Sequence, residues 1–105
     1  MNIQTPIVEA RHKNTILIED GKVKRLSIWT LHDGRYWNSL VIERRTSDFE
    51  CSLCEPGGAD TIVGTLEHVM QALPSDAGEV YRKLFLLVDP TGAELRDAGF
   101  GAVAH

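Results

Sequence analysis

Cys51 and Cys54 are the residues of this chain best suited by type and spacing to hold a metal or exchange a disulfide. A structural zinc site needs a second ligand pair, and no His-x-His partner accompanies this C-x-x-C. His68 is expected on a helix, about 160–200° around from the apolar stripe and facing water. Three residues apart on a strand, the two thiols point to opposite faces and cannot share one ion. A redox pair would open a helix, where the dipole lowers the first thiol's pKa. Here the pair closes a strand and is followed by Glu55 and Pro56. Buried or half-buried thiols are expected, with no metal and no cofactor.

Acid–base chemistry has two candidate clusters. His32, Asp33 and Arg35 lie at a turn beside Tyr36, and Glu67-His68 lies on the expected helix. Turn residues are exposed, whereas general acid–base work needs a concave and partly dry site. No serine sits on a recognisable nucleophile turn. The glycines of Pro56-Gly57-Gly58-Ala59-Asp60 can expose N–H groups to a phosphate, but Glu55 and Asp60 would repel it and no P-loop lysine follows. No catalytic residue is assigned. An enzymatic or small-molecule-binding domain is an alternative reading that requires a pocket between helix and sheet, near His32, Tyr36 and Glu67. A second alternative is a single-strand nucleic-acid binder. Arg11, His12, Lys13, Lys22, Lys24, Arg25, Arg44 and Arg45 share one half of the chain with Trp29, Tyr36 and Trp37. Carboxylates expected across the sheet from several of these cations argue against it.

The elements that place these residues are read from turns. Asp20-Gly21 and Asp33-Gly34 favour two-residue hairpins, because both positions need positive φ. Ser47-Asp48 is a weaker third turn. Counting outward pairs Glu19 with Lys22, Ile18 with Val23 and Ile16 with Arg25. The second hairpin pairs His32 with Arg35, Leu31 with Tyr36, Trp29 with Asn38 and Lys24 with Glu43. The third pairs Thr46 with Phe49, Arg45 with Glu50 and Ile42 with Leu53. Strict alternation then collects Ile16, Ile18, Val23, Trp29, Leu31, Tyr36, Leu40, Ile42, Phe49 and Leu53 on a core face. The other face collects Leu17, Leu26, Ile28, Trp37 and Val41 among Thr15, Thr30, Ser39 and Ser52.

Glu55-Pro56-Gly57-Gly58 reads as a chain break, with Asp60 capping a helix whose stripe is Ile62, Leu66, Val69, Met70 and Leu73, stopped by Pro74. Residues 80–88 fit either a buried strand entering the Asp89-Pro90-Thr91-Gly92 turn or a second helix capped by Ser75, the strand being preferred. The tail from Ala98 to His105 is expected to be loosely ordered. The fold class is therefore α+β: a four-stranded antiparallel meander over about 14–54, one helix over about 60–73, and a C-terminal strand or helix over about 80–88.

At 105 residues the chain is expected to be a single domain, 1–105. Its 43% apolar and 25% charged residues exclude disordered and collagenous classes. The longest apolar run, Leu84 to Val88, is far short of the ~20 residues that cross a bilayer. The first residues lack the pattern of a secretory signal, so a cytoplasmic location and no membrane partner are expected. The net charge of −4 is unevenly spread. Residues 1–48 carry eight basic and six acidic side chains, whereas residues 49–105 carry three and nine. Chemistry being poorly supported, the second apolar face carries the functional expectation. Leu17, Leu26, Ile28, Trp37 and Val41 would be the interface of a small non-catalytic protein-interaction module of inhibitor or adaptor type, forming a homodimer or capturing a protein partner.

Overall fold

The computed structural model describes residues 12–55, 57–97 and 103–104. It is an α+β fold. Five antiparallel strands run in chain order: β1 (His12–Glu19), β2 (Lys22–His32), β3 (Arg35–Arg44), β4 (Phe49–Glu55) and β5 (Gly58–Gly64). Three short helices follow: α1 (Leu66–Met70), α2 (Ser75–Leu86) and α3 (Gly92–Asp97). A two-residue strand, β6 (Val103–Ala104), lies parallel to β1, giving the sheet order β5-β4-β3-β2-β1-β6. No helix among the described residues is long and apolar enough to cross a membrane.

The two Asp-Gly turns form as expected. Asp20, Gly21, Asp33 and Gly34 all have positive φ, between 49° and 75°. Gly21 is required twice over. Besides its φ of 73°, a Cβ there would lie 2.3 Å from a carboxylate oxygen of Asp89, whose backbone N–H donates to the Gly21 carbonyl at 2.6 Å. The first hairpin is thereby tied to the α2–α3 loop.

Beyond the turns the expected registers fail at two places. Ile18 pairs with Val23, but Leu17 pairs with Arg25, leaving Lys24 as an extra residue in β2. Trp29 pairs with Asn38, but Ile28 pairs with Leu40, leaving Ser39 extra in β3. Each bulge reverses alternation along its strand. Ile16 consequently faces Leu26 rather than Arg25, and Glu43 faces Arg25 rather than Lys24. At the third turn, residues 45–48 make a longer loop, closed by the Arg45 N–H donating to the Asp48 carbonyl at 2.8 Å. Ile42 therefore pairs with Cys51, and Leu40 with Leu53. This shift of two residues leaves Phe49 and Leu53 on the expected face.

The expected helix over 60–73 is corrected more deeply. Glu55 pairs with Gly58, so β4 continues into a hairpin where the end of the last strand was expected, and residues 58–64 form a fifth strand. Thr65 caps the short helix that remains, its hydroxyl accepting the His68 N–H at 3.1 Å. Residues 80–88 take the helical alternative as far as Leu86, with Pro74 rather than Ser75 at the cap position. A capping box starts α3: the Thr91 hydroxyl accepts the Glu94 N–H at 3.0 Å, and the Glu94 carboxylate accepts the Thr91 N–H at 3.1 Å. The tail from Ala98 to His105, expected to be loosely ordered, lies outside the described residues except for Val103 and Ala104 in β6.

The helices all lie on one side of the sheet. The core is a row paired straight across it, Ile16, Leu26, Ile42 and Cys51, closed by Val69, Met70, Leu84, Phe85 and Leu95. Ile18, Ile28, Phe49, Leu53 and Ile62 pack around this row. Arg44 pins the sheet to α2. Its guanidinium donates to the Val23 carbonyl at 3.2 Å and to the Phe85 carbonyl in the last helical turn, and it lies 5.1 Å from the Phe49 ring. Burial lowers its pKa from the ordinary arginine value.

Candidate binding face

With the helices confined to one side, the opposite side of the sheet has no described element packed on it. The two bulges decide which residues reach it. Leu17 and Val41 do, as expected. Leu26 and Ile28 do not: Leu26 is fully buried beneath the helices, and Ile28 packs against the same core. Trp37 shares the helix-side direction of Ile28 through its pairing with Thr30 near the hairpin tip. It is half-buried, and its indole N–H is buried without an acceptor among the described residues. Trp29 and Tyr36, expected in the core, instead lie on the helix-free side, and alternation places Leu31 with them.

A depression of about 360 Å³ lies in this face. Leu17, Trp29 and Val41 line it with Ile16, whose side chain is in the core on the other side of the sheet, and Ser27, only 5% exposed, lies at its floor. The indole N–H of Trp29 donates to the Thr15 hydroxyl at 3.2 Å, which holds the ring in one orientation. Arg25 and Glu43 pair at 3.7 Å along the rim. Toward the hairpin tip, the Lys13 ammonium stands 4.1 Å over the Tyr36 ring. Toward β5, the Ser52 and Thr61 hydroxyls meet at 3.2 Å. The bulge at Ser39 is pinned from both sides. Its hydroxyl donates to the Ile28 carbonyl at 3.2 Å and lies 2.7 Å from that of Thr30. With its amide nitrogen turned toward them, Asn38 can donate to the carbonyls of Ile28 and Leu40, each 3.0 Å away.

The chemical candidates do not converge. His32 and Asp33 approach to 3.4 Å at an exposed hairpin tip, while Tyr36 faces Lys13 and Glu67 pairs with Arg82 at 3.9 Å. The depression is therefore on the side opposite the pocket expected between helix and sheet. Cys51 is fully buried and Cys54 half-buried, and burial pushes the Cys51 thiol up to about 11. No group of three metal-ligating side chains occurs among the described residues. Several candidate nucleic-acid cations already have partners: Lys24 on the Arg44 carbonyl, Arg25 on Glu43, Arg44 on two carbonyls, and Arg45 on Asp48 and Glu50. Arg11 lies outside the described residues, as does the side chain of His12.

Sequence reasoning missed Trp29 and the depression itself. The available signal was the Asn38-Ser39 pair, polar residues with side chains able to satisfy a bulge carbonyl. No protein-family model, curated protein or solved structure matches the chain.

Proposed function

We propose that this chain is a small non-catalytic binding module that holds a protein partner against the helix-free face of its sheet. The observation that carries this reading is the set of half-buried apolar side chains, Leu17, Trp29 and Val41, on a face no described element covers. An aromatic and two aliphatic residues at the centre, with arginine, glutamate and hydroxyl groups around them, match the layout of protein interfaces. Trp29, already held by Thr15, would lose little side-chain freedom on binding and is the expected anchor.

Val41→Lys tests this reading, since it puts a charge at the middle of the face while leaving the helix-side core intact. The wild-type chain should retain a partner from its host extract that the variant releases, with both giving the same circular dichroism spectrum. Equal retention by a folded variant rejects the face as the binding surface.

A small-molecule site is the second reading, favoured by the size of the depression, which lies within the range of ligand pockets, ~300–1,000 Å³. Ser27→Leu fills its floor. Loss of ligand-induced thermal stabilisation in that variant, with partner retention unchanged, would support this second reading over the first.

A further inference from the structure

The sheet has two edges, and they differ. The β1 edge carries β6, which pairs at Ile16 and Leu17. The β5 edge has no described strand beside it. β5, Gly58-Ala59-Asp60-Thr61-Ile62-Val63-Gly64, pairs with β4 without interruption from Glu55/Gly58 to Phe49/Gly64. It contains no proline, lysine, arginine or bulge, and Asp60 is its single charged residue, so few of the devices that keep natural sheet edges from pairing are present. Ala59, Asp60, Thr61 and Val63 are exposed.

The hairpin geometry identifies the backbone groups that point outward. A two-residue loop makes Glu55/Gly58 a hydrogen-bonded pair, and such pairs alternate along an antiparallel ladder. Gly58, Asp60, Ile62 and Gly64 thus bond inward to β4. Ala59, Thr61 and Val63 turn their N–H and C=O groups away from it. The short Ser52–Thr61 hydroxyl contact agrees, because side chains approach more closely at the pairs that are not hydrogen-bonded.

We propose that β5 pairs antiparallel with β5 of a second copy, about a two-fold axis at Thr61, so that one sheet runs through both chains. In that register Thr61 faces Thr61 of the second copy, and Ala59 faces Val63. Every outward N–H and C=O then meets its complement, as an isologous contact requires. Side chains agree with it too. Threonine meets threonine, a favourable cross-strand pair, and each Asp60 faces an isoleucine rather than the other aspartate. The helix α1 leaves from the Gly64 end of the strand, so the two copies of α1 lie at opposite ends of the junction. This contact goes beyond the open-face reading. It uses the backbone edge and leaves Leu17, Trp29 and Val41 free for a partner.

The test is mass by light scattering across a dilution series, with Thr61→Lys and Thr61→Pro. Lysine places two like charges together at the axis. Proline deletes only an outward N–H, a position at which edge strands tolerate it. The wild-type chain should approach twice 11.7 kDa at high concentration, and both variants should remain at 11.7 kDa with unchanged circular dichroism. Amide exchange at Ala59, Thr61 and Val63 should slow as the wild-type chain is concentrated. A wild-type chain monomeric throughout the series overturns the proposal. So does a dimer that survives in folded Thr61→Lys, or one in which those three amides stay unprotected. If proline unfolds the chain, the lysine variant decides alone. Val41→Lys should leave the dimer intact, which separates failure of this contact from failure of the open face.

Discussion

Cys51 shows what one residue contributes when its surroundings, rather than its motif, decide its chemistry. It shares a C-x-x-C spacing with Cys54, yet it sits between Ile42 and Ile62 in the fully buried row of the core. Burial disfavours the thiolate, raising the folded-state pKa from an ordinary 9.0 to about 11. The sign follows directly. The unfolded chain releases this proton first, so the contribution of Cys51 to stability is complete below about pH 9 and is lost as pH rises through about 11. The difference in unfolding free energy between the wild-type chain and Cys51→Val, measured by urea titration, should therefore be flat to about pH 9 and fall above it. In the native state a thiol reagent should modify Cys54 and spare Cys51 until the chain unfolds. Gly21 is a second residue whose identity is dictated twice, by a left-handed backbone and by the nearness of Asp89.

At the level of elements, the two Asp-Gly turns and the first four strands were readable in the sequence, whereas the longer third turn, the fifth strand and the positions where alternation breaks were not. Asp-Gly encodes positive φ in its own chemistry, so both hairpins and their first pairs follow from local rules. A bulge is different. Lys24 and Ser39 are unremarkable by type, and each becomes an extra residue because core packing further along the strand outweighs regular pairing near the turn. Leu26 must reach the helices, and Lys24 absorbs the slip while its ammonium bonds the Arg44 carbonyl. Ser39 supports its own bulge. Replacing it by alanine should cost about 1 kcal/mol through its hydrogen bonds. Deleting it should cost several-fold more, because Tyr36 and Trp37 would exchange sides; chemical denaturation of the two variants compares them directly. The misplaced helix has a similar origin. Ile62 falls in helical register with Leu66, Val69 and Leu73, but it reaches the core from a strand. Periodicity over one or two turns cannot separate the two cases.

For the molecule as a whole, one face of the sheet is a core and the other is a candidate surface, and substitutions should sort accordingly. Leu26→Ala removes a fully buried side chain from beneath the helices and should cost about 2–5 kcal/mol. Val41→Ser, on the uncovered side, should cost less than half as much in the same denaturant titration. Equal costs would mean that the open face is internal packing after all. The α+β class and the two Asp-Gly hairpins were legible from composition, turn chemistry and alternation, all of which act within a few residues, and alternation also raised the expectation of apolar side chains on a second face. Membership of that face was decided only in three dimensions. Leu17 and Val41 kept their expected side, whereas Leu26, Ile28 and Trp37 exchanged sides with Trp29, Leu31 and Tyr36. A single inserted residue reverses every side chain beyond it, and whether the chain tolerates that insertion depends on helices packed from far along the sequence.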